Sequence, residues 1–164
     1  MYKRQSPPTS GAVTGKPPGN KKSAEGKPAV TGQPRVPASA AKQLAWTWPA
    51  DGKLLERYSV SGPNKGIDIA GSRGQPILAS AAGQVVYQGG GLRGYGQLII
   101  IKHNDDFLSA YAHCDKIYVK EGNVIKRGQR IADMGSSGAE GVKLHFEIRY
   151  RGAPVDPQEY LPRK

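Results

Sequence analysis

One cysteine, two phenylalanines, two tryptophans and two methionines are all that this 164-residue chain holds of those residue types. The lone Cys114 excludes an internal disulfide and any zinc site built on paired thiolates. It does not fix the redox compartment. No run of about 18 apolar residues occurs, which excludes a transmembrane helix. The start, Met1-Tyr-Lys-Arg-Gln-Ser-Pro-Pro8, has basic residues but no apolar stretch behind them, so it is not an intact secretory signal. Amphipathic helical windows of useful length are also missing. Hydrophobic residues make up 37%, below the roughly 45–50% of an ordinary globular chain, a reference that also counts glycine.

Proline and glycine are plentiful instead, 13 and 22 residues respectively, so much of the chain must be turn or disordered. The formal charge is +11, and its distribution is uneven. Residues 1–43 carry eight Lys or Arg against the single acid Glu25, together with seven of the prolines. They contain no Leu, Ile, Phe or Trp. Such a segment cannot bury enough apolar surface to offset its ordering entropy, so residues 1–43 are expected to be a disordered Pro/Lys-rich linker. A linker in that place suggests a fragment of a longer protein. The basic excess fits nucleic acid, anionic lipid or an acidic wall polymer equally well.

The composition changes at Leu44-Ala-Trp-Thr-Trp-Pro49, and a domain over 44–164 is expected from there. Short apolar runs separated by glycine pairs give an all-β pattern. The expected strands are Pro76–Ala81, Gly83–Tyr87, Gln97–His103, Phe107–His113, Ile117–Val119, Arg130–Met134 and Lys143–Tyr150. Asn104-Asp-Asp106 reads as a tight hairpin turn, Gly135-Ser-Ser-Gly138 as a loop, and Gln158–Leu161 as one short turn. The fold class that follows is all-β: a compact, antiparallel, barrel-like or sandwich domain.

The last strand is the most informative. Alternation places Leu144, Phe146, Ile148 and Tyr150 on one face and Lys143, His145, Glu147 and Arg149 on the other. The second face is too polar for a core. Strict alternation also places Tyr111 and His113 together, opposite Ala110, Ala112 and Cys114. His113 and His145 could be plain hydrogen-bonded β-sheet histidines. His103, beside Asp105 and Asp106, reads as structural or exposed rather than as a second metal site. Gly89-x-Gly91-x-x-Gly94 joins two strands and lacks the following helix that a dinucleotide site requires. Cys114 is expected to pack opposite the cleft face, and Lys120, Lys126, Arg127 and Arg130 to form a solvated rim.

Three pieces, Asn64-Lys-Gly-Ile-Asp-Ile-Ala70, Tyr111-Ala-His113 and Leu144-His-Phe-Glu147, carry a family resemblance. With Gly94-Tyr-Gly-Gln-Leu98 and Gly128-Gln-Arg-Ile131 they make residues 58–164 resemble the LytM-type, lysostaphin-like zinc peptidases of cell-wall hydrolysis. Active members read His-x-x-x-Asp at the first motif and His-x-His at the last. The resemblance therefore implies metal-ligand positions at Asn64, Asp68 and His145, and catalytic positions at His113 and Lys143. Asn64 and Lys143 are not histidines. A neutral amide replaces imidazole poorly on zinc, and an ammonium on the same face repels a cation. The site is expected to be vestigial, with no catalytic residue and no metal or other cofactor.

That pattern resembles the degenerate, NlpD-like subgroup of murein hydrolase activators. The resemblance implies a non-catalytic partner of an N-acetylmuramoyl-L-alanine amidase, active in daughter-cell separation. It implies a periplasmic location in a Gram-negative bacterium, associated with the outer membrane in the full-length protein. Peptidoglycan is a second candidate ligand, and no nucleic acid is expected. Membrane attachment is expected only through an anchor outside this sequence. Tyr111, His113, Lys143, His145 and Glu147 are expected to floor the partner-binding cleft. Two alternatives stay open: a zinc-dependent peptidoglycan endopeptidase, and a passive peptidoglycan-binding module.

Overall fold

The computed structural model of the chain describes residues 44–163, so the segment expected to be a linker, 1–43, lies outside the described residues. Ten antiparallel strands fall within them: β1 Leu54–Glu56, β2 Ile67–Ala70, β3 Pro76–Leu78, β4 Gly83–Gly89, β5 Gln97–Lys102, β6 Phe107–Ile117, β7 Val124–Ile125, β8 Arg130–Met134, β9 Lys143–Tyr150 and β10 Ala153–Val155. A single 3₁₀ turn, Pro157–Glu159, follows. Asp156 caps that turn by accepting from the Gln158 amide, and Pro157 fills the first helical position, where no amide donor is needed.

The strands pair in the order β1-β2-β9-β6-β5-β4-β7, with β10 added on β9. The sheet branches at β6, whose far end pairs with β8, which in turn pairs with β3. Eleven residues long, β6 thereby serves both arms. The segment expected as a separate strand over Ile117–Val119 is the end of this one strand and the residues just after it. Pro76–Ala81 stops at Leu78, next to a register shift in its pairing with β8, and Ala79 bonds onward to Gln129 O and the Gly128 amide just before β8.

Both arms contribute buried side chains to one main cluster. Ile67 and Ile69 of β2, Ile99 and Ile101 of β5, Tyr111 of β6, Met134 of β8 and Phe146 of β9 are all fully enclosed. Trp46 closes one side, edge-on to His103 and Phe107. The indole of Trp48 donates to Pro162 O at 2.7 Å, tying residues near 48 to those near 162. His103 is structural, as expected. Its Nδ1 lies 2.7 Å from Ala82 O and its Nε2 2.8 Å from the Ser109 hydroxyl. Burial pushes its pKa down, more than the Ala82 carbonyl raises it.

Candidate functional site

Register brings the quoted motifs together. On β9, His145 sits opposite Asp68 of β2 and Ala112 of β6, while Glu147 sits opposite Ala110. Opposed residues of an antiparallel pair share a face. The polar side of β9 therefore looks across the small alanines of β6 on one flank and onto Asp68 on the other.

These side chains form a ladder of alternating charge. Lys143 Nζ donates to Asp68 Oδ2 at 2.9 Å. The ring of His145 bridges two carboxylates, Nδ1 lying 2.6 Å from Asp68 Oδ1 and Nε2 2.7 Å from Glu147 Oε2. Ionised carboxylates only accept, so both ring nitrogens carry protons and the ring is an imidazolium. Arg149 donates through Nε to Glu147 Oε1 at 2.9 Å, and the Tyr95 hydroxyl reaches Glu147 Oε2 at 3.2 Å.

The electrostatics agree with that geometry. Burial would weaken the charge on Asp68, but hydrogen bonds from His145 and Lys143 hold its pKa below the ordinary value. Glu147 follows the same rule, with burial outweighed by His145 and Arg149. Burial likewise opposes the charge on His145, yet the two carboxylates push it up to about 9. His113 goes the other way, because burial and the positive charges of His145 and Lys143 exceed the pull of the Ser137 carbonyl. It is a neutral imidazole beside a charged one, ring centres 6.2 Å apart.

A small open cleft of about 200 Å³ lies over the ladder, walled by Asp68, Tyr95, His113, Lys143, His145 and Glu147, with Lys65 at its side. Four of the five residues expected on the cleft floor are there. Tyr111 is not. It is fully buried, packed on Phe146, with its hydroxyl accepting from the Ser80 amide at 2.8 Å. The reason is a bulge in β6, where the pairing with β5 shifts between Gln97 and Ile99. His113 there adopts φ 66, a left-handed conformation rare for a side chain larger than glycine. The kink turns the imidazole to the cleft while Tyr111 and Cys114 both face the core.

Contacts from two loops hold the kink. The His113 amide donates to Tyr95 O at 2.9 Å. Its Nδ1 lies 2.7 Å from Ser137 O, and Ser137 Oγ donates to Cys114 O. Gly96, at φ 62, lets Ser137 approach so closely that an added Cβ would lie 2.1 Å from the Ser137 carbonyl oxygen. Sequence pattern alone identifies 135–138 as a loop and gives Tyr95 no role, because both act through contacts distant along the chain.

Asn64 stands apart from the ladder. Its Oδ1 accepts from the Gly66 amide at 3.2 Å and its Nδ2 donates to Arg57 O at 3.3 Å, so both ends of the amide serve the loop entering β2.

Residues 62–157 match the sequence profile of Peptidase family M23. The chain belongs to that family. The LytM-type likeness of the three motifs is thus a family membership. Outer membrane antigenic lipoprotein B of Haemophilus influenzae is 61% identical over 129 residues, which cover 78% of this chain and 32% of that protein. Murein hydrolase activator NlpD of Escherichia coli is 60% identical over 120 residues, covering 73% and 32%. This chain thus spans about a third of the length of these curated relatives. Among solved M23 structures, a zinc-containing peptidase of Vibrio cholerae is 33% identical with a TM-score of 0.63, covering 68% of this chain and 39% of that one.

Proposed function

We propose that this M23 domain is a non-catalytic activator of a cell-wall N-acetylmuramoyl-L-alanine amidase, working in the periplasm of a Gram-negative envelope. The observation that carries the reading is the Lys143 ammonium seated on Asp68 at 2.9 Å. A zinc ion needs three protein ligands with free lone pairs. Here Asp68 already serves two cations, and His145 would have to give up a proton held between two carboxylates before it could ligate. Asn64 spends its amide inside a loop. The donor set does not fit zinc.

The names of the relatives support the activator reading over the peptidase one, since a protein 60% identical over most of this domain is called a murein hydrolase activator. Lipoprotein names among them support an envelope setting. The cleft supports a protein partner. It combines an aromatic wall, two imidazoles and charges of both signs, and such polar anchors concentrate binding energy in a few residues.

The test is stimulation of a purified amidase on dye-labelled peptidoglycan sacculi by the wild-type chain and by Lys143→Glu and Glu147→Lys. Loss of stimulation in both variants, with folding retained, is the expected result. Full stimulation by both would make the cleft the wrong surface.

A further inference from the structure

A second depression adjoins the polar cleft and differs from it in chemistry. It has a volume of about 330 Å³ and lies on the outward face of β5, β6 and β9. Leu98 and Ile100 of β5, Leu108 and Ala110 of β6, and Leu92 from the loop before β5 supply an apolar lining. Ala110 stands opposite both Glu147 and Ile100. Its methyl group between two longer neighbours makes the trough. Leu98 is 2% and Ala110 8% exposed, whereas Leu92 at the mouth is 43% exposed. Tyr95 and Glu147 wall this slot and the polar cleft alike, so one ligand could engage both.

Volume and lining limit the occupant. The slot is near the lower end of the 300–1,000 Å³ range of small-molecule pockets, ample room for a large side chain. A sugar ring placed there would lose water from several hydroxyls and find few acceptors. The carboxylate within reach, Glu147, is already held by His145, Arg149 and Tyr95. Arg149, in the lining, is neutralised by Glu147 at 2.8 Å, so the positive charge left beside the slot is the exposed Arg93, which follows Leu92.

We propose that the slot seats one bulky aliphatic or aromatic side chain of the amidase, on a segment that also presents an acidic residue to Arg93. This rests on the activator reading and adds a second recognition element to it. The ion-pair cleft reads the polar part of the segment, and the slot anchors it.

The experiment measures the dissociation constant between the 164-residue chain and a purified amidase of the same organism by calorimetry. Leu92→Ser and Ala110→Leu are expected to weaken binding about tenfold or more, as loss of an apolar anchor does. Arg93→Glu is expected to weaken it several-fold, and Val86→Ser, exposed on β4 outside the slot, to leave it unchanged. Leu92 is in a surface loop, so its variant remains readable if Ala110→Leu fails to fold. Wild-type binding by Leu92→Ser, with binding lost in Lys143→Glu, overturns the slot and leaves the activator reading standing. Self-association of the wild-type chain that Leu92→Ser abolishes makes a second copy the occupant and also overturns it. Absence of any amidase binding by the wild-type chain removes both.

Discussion

Lys143 and His145 share one acceptor, Asp68, whose side chain is only 7% exposed. Removing the ammonium leaves that carboxylate with a single cationic partner in a low-dielectric setting. Lys143→Met is therefore expected to lower unfolding free energy by about 1–3 kcal/mol, read from urea denaturation. Lys143→Arg should recover most of the loss. Equal stability of the Met variant and the wild type would contradict the ladder as drawn. A pH dependence follows from His145. Its folded pKa, about 9, exceeds the ordinary 6.5. The stabilisation is fully present below pH 6.5, declines above it and is lost once pH rises through 9. Up to about 3 kcal/mol is at stake over that window. His145→Gln should show a flatter profile from pH 6 to 10, and an unchanged slope would count against the imidazolium.

Among the elements, β8 and β9 were legible to the residue, because five and eight residues of clear pattern leave little room for another reading. β6 was legible in place but not in facing. Period-two alternation put Tyr111 beside His113, and the bulge separates them. Nothing local in Tyr111-Ala-His-Cys114 encodes that turn. It depends on Tyr95 and Ser137, which are distant in sequence from the strand they brace. β1, β7 and β10 have three, two and three residues, too few for any periodicity to register. The brace makes a prediction at this scale. Gly96→Ala needs a positive φ and meets the Ser137 carbonyl, so a loss of about 1–3 kcal/mol is expected. The His113 imidazole resonances should shift with it. Unperturbed His113 signals would show that the kink stands without the brace.

Across the whole molecule, one apolar cluster joins the two arms of the branched sheet, and Trp46 completes it from outside the strands. The residue is 7% exposed, and its ring meets His103, Phe107 and Tyr160. Trp46→Ala is expected to cost about 3–5 kcal/mol in denaturant unfolding, the usual loss for a buried aromatic. The change of composition at Leu44–Pro49 made this anchor legible in sequence. Its docking against residues 160–162 was not, since a pairing over more than a hundred residues leaves no local trace.

The central proposal is that this cleft recognises a protein instead of cutting peptidoglycan. Chromatographic analysis of the products released from purified sacculi tests it most directly, with the chain alone, the amidase alone, and both together, in buffer containing zinc. The account predicts no cleaved peptide cross-links from the chain alone, and amidase products rising well above the amidase-only level in the mixture. Cleaved stem-peptide bonds from the chain alone would contradict it.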